Sequence, residues 1–143
     1  MIDRLGALFV LIKRFEGCRL MPYLCPAGVW TCGWGSTGLD VFPGKPWTQE
    51  YADRRLEHDA LRFAMGTLAA CPVLATEIDA RLCAISDFAY NLGLGALRGS
   101  TLRKRVNAER WEDAKHELGR WIRGGGRVLR GLVIRRAAEA ALL

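Results

Sequence analysis

The sequence has no Cys-x-x-Cys pair, no internal repeat, no low-complexity segment and no apolar stretch long enough to cross a bilayer. A membrane-spanning helix needs about 20 apolar residues, whereas the N-terminal run from Leu5 to Ile12 has eight. The five cysteines are an odd number, which excludes a complete disulfide framework, and their spacing is not that of zinc sites. Cys18, Cys71 and Cys83 are interpreted as small buried apolar residues of a reduced chain. We expect no metal site and no cofactor.

The N-terminal apolar run resembles a signal-peptide core only in part. It is near the lower length limit for such a core, and Asp3 cancels the positive charge of Arg4. Charged residues follow Ile12 where a small-residue cleavage site would be needed. We therefore interpret the run as a core-facing helix and expect no signal peptide.

The 143 residues fit one domain, which we expect to span 1–143. The net charge of +6 is compatible with binding to a polyanion, but it is equally compatible with a role in solubility alone. Binding to nucleic acid is not expected, because Leu129, Leu132 and Val133 interrupt the arginines of the last helix. The same pattern predicts a docked amphipathic helix with its apolar face inward, and no stable membrane insertion.

The spacing of apolar residues divides the chain into two lobes. Residues before Gly17 have helical spacing, with Asp3 as the expected cap. The stretch that follows is rich in proline, glycine and aromatic residues, which predicts a small antiparallel sheet within a β lobe at about 15–47. Residues 48–143 are predicted to form a helical lobe. The fold class is therefore α+β and mainly helical, with a cleft between the lobes.

Five helices are predicted in the helical lobe from caps and breakers. The first begins at Thr48 and ends at Cys71-Pro72, and the second begins at Thr76, turns Ile78 inward and stops at Gly93. The remaining three are expected at about Ser100–Asn107, about Glu109–Trp121 and near Val128–Leu142, with Gly124-Gly125-Gly126 breaking the chain before the last.

Glu16 is the first candidate for chemistry. It lies at the C-terminal end of the first helix, where the helix dipole disfavours a second negative charge, and partial burial behind the sheet would also raise its pKa. A carboxylic acid that keeps its proton near neutral pH can protonate the leaving oxygen of a glycosidic bond. Position alone does not separate this role from that of an exposed glutamate ending a helix.

The spacing around Glu16 is more specific. Eight residues separate Glu16 from Cys25, and five separate Cys25 from Thr31, which is followed by a glycine-rich turn. This order is similar to that of the phage-type lysozymes, the muramidases of tailed-phage lysis systems, whose pattern is Glu-x8-Asp-x5-Thr. Further matches cover nearly the whole chain: Tyr23, Gly28, Gly33, Gly35, Phe88–Gly93, Ser100-Thr101-Leu102, Arg110-Trp111, Arg120-Trp121, Gly131-Leu132 and Arg135-Arg136.

The resemblance implies a role for each matched residue. Glu16 would be the general acid, and Thr31 would hold the water that attacks the anomeric carbon. Tyr90 and Asn91 would contact sugar, although packing at a helix end is an equally good reading of both. Arg135 or Arg136 would pair with Glu16 or a neighbouring carboxylate; a solvated basic face is the alternative.

Two positions depart from the family pattern. Cys25 occupies the place of the aspartate, and an ordinary thiol is only a few per cent ionised at neutral pH. A thiolate can nevertheless act as a base, as an anion that stabilises an oxocarbenium-like state, or as a nucleophile. Some members of the family are similar in having cysteine there, which favours an active enzyme. Ser36 replaces a common histidine, a change that we expect to affect stability more than chemistry.

The implied activity is that of an endolysin. Such a glycoside hydrolase cleaves the β-1,4 bond between N-acetylmuramic acid and N-acetylglucosamine in peptidoglycan, and so lyses the host cell. The alternative is a catalytically impaired relative that only binds peptidoglycan. The resemblance further implies a monomer made in the host cytoplasm that acts in the periplasm. It would need a separate pore-former, or holin, to reach the wall. Whether Cys25 chemistry inverts or retains configuration stays open.

Overall fold

A computed structural model describes all 143 residues, beginning with a 3₁₀ turn at Ile2–Leu5 that continues into helix α1 at Gly6–Glu16. Leu5, Leu8 and Ile12 are fully buried, as their helical spacing predicted. The expected cap at Asp3 is wrong: no side chain caps α1, because the 3₁₀ turn runs directly into it. The helix does end at Gly17, whose φ of 66° is a conformation that favours glycine.

The small sheet has three antiparallel strands in the order β1-β2-β3. They are β1 at Arg19–Leu24, β2 at Trp30–Gly33 and β3 at Ser36–Thr37. Tyr23 pairs with Thr31, and Thr31 pairs in turn with Thr37, so the middle strand aligns the other two. A separate apolar cluster lies beneath this sheet and consists of Cys32, Val41, Trp47 and Ala52. The predicted antiparallel sheet is confirmed.

The helical lobe contains six helices around one core of 19 buried residues. They are α2 at Gln49–Ala70, α3 at Asp79–Leu92, α4 at Leu94–Arg98, α5 at Thr101–Asn107, α6 at Trp111–Leu118 and α7 at Arg130–Ala140. Two predicted caps are confirmed: the Thr48 side chain accepts a hydrogen bond from the Tyr51 amide, and Ser100 accepts one from Arg103. No helix is both long and apolar enough to cross a membrane.

Three local predictions in this lobe are wrong. Thr76 does not cap α3, because a 3₁₀ turn at Pro72–Ala75 intervenes and the helix begins only at Asp79. Ile78 is consequently exposed, not inward. The predicted helix from Glu109 begins two residues later, at Trp111, because Glu109 has a positive φ of 54°, which is not helical backbone. The expected burial of Cys71 and Cys83 is confirmed, whereas Cys18 is partly exposed.

The last helix differs most from its prediction. The glycine triplet does not simply break the chain: it turns a hairpin of strands β4 at Arg123–Gly124 and β5 at Arg127–Val128. Helix α7 then turns a charged face inward, since its buried residues are Arg135, Arg136 and Glu139. Val133 is 40% exposed, so the expected apolar inward face is wrong.

Candidate active site

A cleft of about 470 Å³ lies between the sheet and the helical lobe. Its lining includes the three predicted catalytic residues and the two predicted sugar contacts, which are Glu16, Cys25, Thr31, Tyr90 and Asn91. A second hollow of about 410 Å³ adjoins it, shares Glu16 and Asn91 with it, and is closed by the start of α7. Residues up to 75 positions apart in the chain thus meet around one open groove.

Glu16 ends α1 with its side chain 22% exposed, so that its carboxyl group is reachable from the cleft. Gly35, in the turn between β2 and β3, lies directly against it. A Cβ atom added at Gly35 would be 2.8 Å from Oε2 of Glu16, too close for any real contact. Gly35 also has a φ of +86°. Only glycine therefore satisfies both the backbone conformation and the space that the glutamate occupies.

Arg135 holds the other side of the same carboxylate. Its Nη1 donates to Oε1 of Glu16 at 2.6 Å, while Nε and Nη2 donate to the two oxygens of Asp87, each at 2.8 Å. Burial disfavours the charge of Arg135, but the hydrogen bonds and charge of Asp87, followed by those of Glu16, outweigh it and raise the arginine pKa. A bidentate pair of this kind fixes geometry as well as charge. The alternative of a solvated basic face is wrong for Arg135, which is 4% exposed.

Arg136 extends the buried network in a different direction. It is 1% exposed, and its Nη2 donates to Oδ1 of Asn91 at 2.8 Å and to Oε1 of Glu139 at 2.7 Å. Burial, and then hydrogen bonding with Asp87, raises the pKa of Glu139 to about 9.

Cys25 sits in a tight turn at the mouth of the cleft. Its amide donates to the Val29 carbonyl at 3.0 Å, and the Gly28 amide donates back to the Cys25 carbonyl at 2.8 Å. Hydrogen bonding with the backbone at Val29 is the main cause that lowers the pKa of the Cys25 thiol. The thiol is therefore more readily ionised than an ordinary cysteine.

Thr31 and Tyr90 both donate their hydroxyl protons to backbone carbonyl groups of the protein. Thr31 Oγ1 donates to the Val29 carbonyl at 2.9 Å, so its oxygen meets a cleft molecule as an acceptor. Tyr90 donates to the Trp34 carbonyl at 2.8 Å and thereby ties α3 to the sheet. Burial is the main cause that raises the pKa of Tyr90 above its usual value.

The sequence reasoning missed Asp59, Arg62 and Phe63, which line the cleft from α2. Asp59 is buried, accepts from Ser36 Oγ at 2.6 Å and pairs with Arg55 at 2.5 Å, so it fixes β3 to the helix. The signal was available, because Asp59 lies three residues after Leu56 and therefore on the apolar face of α2. Asp87 and Glu139 were also missed, although both lie among apolar residues of a helix.

A small sheet packed beside a helical lobe, with an acid at a helix end facing the cleft between them, defines a lysozyme-like protein. The match to a family model is consistent with that class: the Phage lysozyme model matches residues 13–139. The chain belongs to the phage lysozyme family.

Relatives and solved structures agree with this assignment. The chain is 38% identical to the endolysin of Bacillus phage B103 over 92% of its own length, but spans only half of that protein. It is 37% identical to the endolysin of Acyrthosiphon pisum secondary endosymbiont phage 1, over 93% of this chain and 92% of the relative. A SAR-endolysin of bacteriophage PS119 is 34% identical over 87% of this chain and 73% of the relative.

Two solved structures, each 31% identical, share the fold. The muramidase domain of SpmX from Asticaccaulis excentricus matches with a TM-score of 0.84, over 96% of this chain and 94% of that structure. The active form of the P1 phage endolysin Lyz matches with a TM-score of 0.83, over 96% and 82%. The predicted mainly helical, lysozyme-like fold is therefore confirmed.

Proposed function

We propose that this protein is an endolysin that hydrolyses the β-1,4 bond between N-acetylmuramic acid and N-acetylglucosamine in bacterial peptidoglycan. The observation that carries the proposal is Glu16 at the end of α1, held in an interlobe cleft by Gly35 on one side and Arg135 on the other. The two lobes act as one domain, because the cleft needs residues from both. The endolysins among the relatives support the choice of substrate.

The two oxygens of Glu16 have different surroundings, which divides their roles. Oε1 accepts from Arg135, while Oε2 lies against Gly35 on the cleft side. Oε2 is therefore the oxygen that carries the proton and gives it to the leaving glycosidic oxygen as the bond to the anomeric carbon breaks. Asp87 holds Arg135 in place, so the carboxyl group does not have to be ordered when the sugar binds.

Cys25 and Thr31 act on the anomeric carbon. Thr31 uses its proton on the Val29 carbonyl, so its oxygen accepts from a water molecule and orients it. The Cys25 thiolate either takes the second proton of that water, which inverts the configuration, or attacks the carbon itself and is later displaced by water, which retains it. Analysis of the first anomer released distinguishes these two routes.

Tyr90 and Asn91 complete the sugar site. The hydroxyl of Tyr90 is used on Trp34, so Tyr90 offers the sugar its ring face. Asn91 offers its side-chain amide, one atom of which is bound by Arg136.

Replacement of Glu16 tests the proposal. Glu16→Gln keeps the size of the side chain but has no acidic proton, so release of soluble glycan fragments from isolated peptidoglycan should fall at least about a hundredfold. Glu50→Gln, at an exposed position of α2, is the matched control and should retain full activity. Mass spectrometry of the digests identifies the bond that is cleaved. Peptidoglycan binding without fragment release by the wild-type protein would favour the impaired relative instead.

Access to the wall is a separate part of the proposal. We infer that the protein is made in the host cytoplasm, works as a monomer and reaches the periplasm only when a separate pore-former opens the inner membrane. SAR-endolysins among the relatives provide the competing route, release from a signal anchor. Expression of the chain alone should leave cells intact, and addition of chloroform should then lyse them. Lysis without any permeabilising agent would contradict the need for a pore-former.

A further inference from the structure

Asn91 lies where the two hollows of the cleft meet, beside Glu16. Its side-chain oxygen accepts from Arg136 at 2.8 Å, and this is the one hydrogen bond that the Asn91 side chain makes within the protein. The amide therefore has one atom bound to the helical lobe and one atom available to a ligand.

The chemistry of Arg136 determines which atom is which. A guanidinium group has five N–H donors and no acceptor, so only the oxygen of the amide can face it. Arg136 cannot move away easily, because it is fully buried, is bound to Glu139 at 2.7 Å and lies over the ring of Phe88. The amide is consequently prevented from rotating by 180°, and its two N–H donors are left for the groove.

We propose that Arg136 is a positioning residue that turns the Asn91 amide into a fixed donor pair, and that this pair recognises the carbonyl oxygen of an N-acetyl group on the glycan. The inference rests on the proposed function. Hydroxyl groups of a sugar both donate and accept, and so would not require a fixed amide. An acetamido carbonyl only accepts, and a de-N-acetylated sugar presents an ammonium group that only donates. The fixed donors favour the first and reject the second.

Two consecutive arginines of helix α7 thus bind two residues of the cleft. Arg135 holds the acid Glu16, and Arg136 holds the amide of Asn91. The two contacts are separate, so their loss should have different kinetic effects. Loss of the Arg136 contact should raise KM and leave kcat nearly unchanged.

The decisive variant is Asn91→Asp. Aspartate has the same shape and still accepts from Arg136, so the buried network is kept, but it has no N–H to donate and its negative charge attracts the ammonium group of a de-N-acetylated sugar. Isolated peptidoglycan, the same material after chemical de-N-acetylation, and the de-N-acetylated material after re-acetylation are the three substrates. The wild-type enzyme should prefer the acetylated forms, and Asn91→Asp should lower kcat/KM on them about tenfold, mainly through KM, and reduce the preference. If Asn91 only anchors Arg136, this variant keeps wild-type rates and preference, and the proposal is overturned.

A second variant tests Arg136 itself. The double substitution Arg136→Met and Glu139→Leu removes both buried partners, so no unpaired charge is left in the core. It should lower the preference for acetylated substrate several-fold while kcat stays close to that of the wild type. Arg130→Met, at an exposed position of the same helix, is the control and should change neither value.

Two outcomes separate the possible failures. If the double variant does not fold, Arg136→Lys retains the buried charge but not the planar fork, and should show an intermediate preference. An unchanged preference in a folded Arg136 variant overturns the proposal. By contrast, full activity of Glu16→Gln would overturn the proposed function and leave the cause of any acetyl preference to be sought elsewhere.

Discussion

Gly35→Ala is the substitution that most directly tests how Glu16 is held. The added methyl carbon would lie 2.8 Å from Oε2, whereas ordinary contact begins at 3.4 Å, so the two groups must separate by about 0.6 Å. Glu16 cannot simply move away, because its Oε1 is bound to Arg135 at 2.6 Å and Arg135 is bound in turn to Asp87. Either the ion pair lengthens or the turn that carries residue 35 shifts.

The substitution has two separable costs. Alanine at a φ of +86° costs about 1–2 kcal/mol of folding stability wherever it occurs. Displacement of the acid is additional and acts on the reaction, where an error approaching 1 Å in a reacting group lowers rates by up to about a hundredfold. We therefore expect at least a tenfold loss of peptidoglycan hydrolysis by Gly35→Ala, measured at a temperature where the variant is fully folded.

Gly44→Ala separates the two costs. Gly44 has a similar φ of +77°, but a Cβ atom there would meet nothing within 4 Å. Both variants should lose similar stability in thermal unfolding, while only Gly35→Ala should lose activity. If the two hydrolyse isolated peptidoglycan at the same rate, then close packing against Gly35 does not position Glu16, and the reasoning is refuted.

Three further predictions follow from the same contacts. Cys25→Ala and Cys25→Ser should both lose most activity, whereas Cys25→Asp should keep it. The wild-type rate should rise with pH as Cys25 ionises at a pKa below the usual thiol value, and Cys25→Asp should remove this rise from the pH profile. Fast hydrolysis by Cys25→Ala would exclude a role for the thiol. Because the pKa of Glu139 is raised from 4.5 to about 9 in the folded protein, the contribution of this group to folding stability is fully present below pH 4.5 and is lost as the pH rises toward 9. Glu139→Gln should flatten that dependence in thermal unfolding, and an unchanged slope would contradict the raised pKa of Glu139. Tyr90→Phe should lower the free energy of unfolding by about 1 kcal/mol, because it leaves the Trp34 carbonyl unpaired. KM should stay unchanged, and a raised KM would instead indicate that the hydroxyl contacts sugar.

The elements that the sequence predicted correctly depend on local chemistry. Helix α1 follows from the spacing of Leu5, Leu8 and Ile12, and the caps at Thr48 and Ser100 bond to amides only three residues away. The spacing of the motif placed its three residues in one cleft, because a helix end followed by a hairpin is itself a local arrangement.

The errors occur where distant residues decide the structure. Arg135 is buried because Asp87, 48 residues earlier, lies opposite it in space, and no local pattern in α7 contains that information. The expected apolar face failed for the same reason, since the buried side of α7 pairs with charged and polar groups on α1 and α3. The start of α3 was misplaced because Thr76 donates its hydroxyl to the preceding 3₁₀ turn instead of capping the helix.

The contact between Glu16 and Arg135 joins residues 119 positions apart, which has a consequence during protein synthesis. A ribosome has produced α1 and the whole sheet long before it adds the arginine that holds the acid. Until α7 has been made and has docked, the growing chain has its carboxylate but not the group that aims it. A nick or truncation ahead of residue 135 would separate Glu16 from the arginine that holds it and would leave the buried Asp87 unpaired.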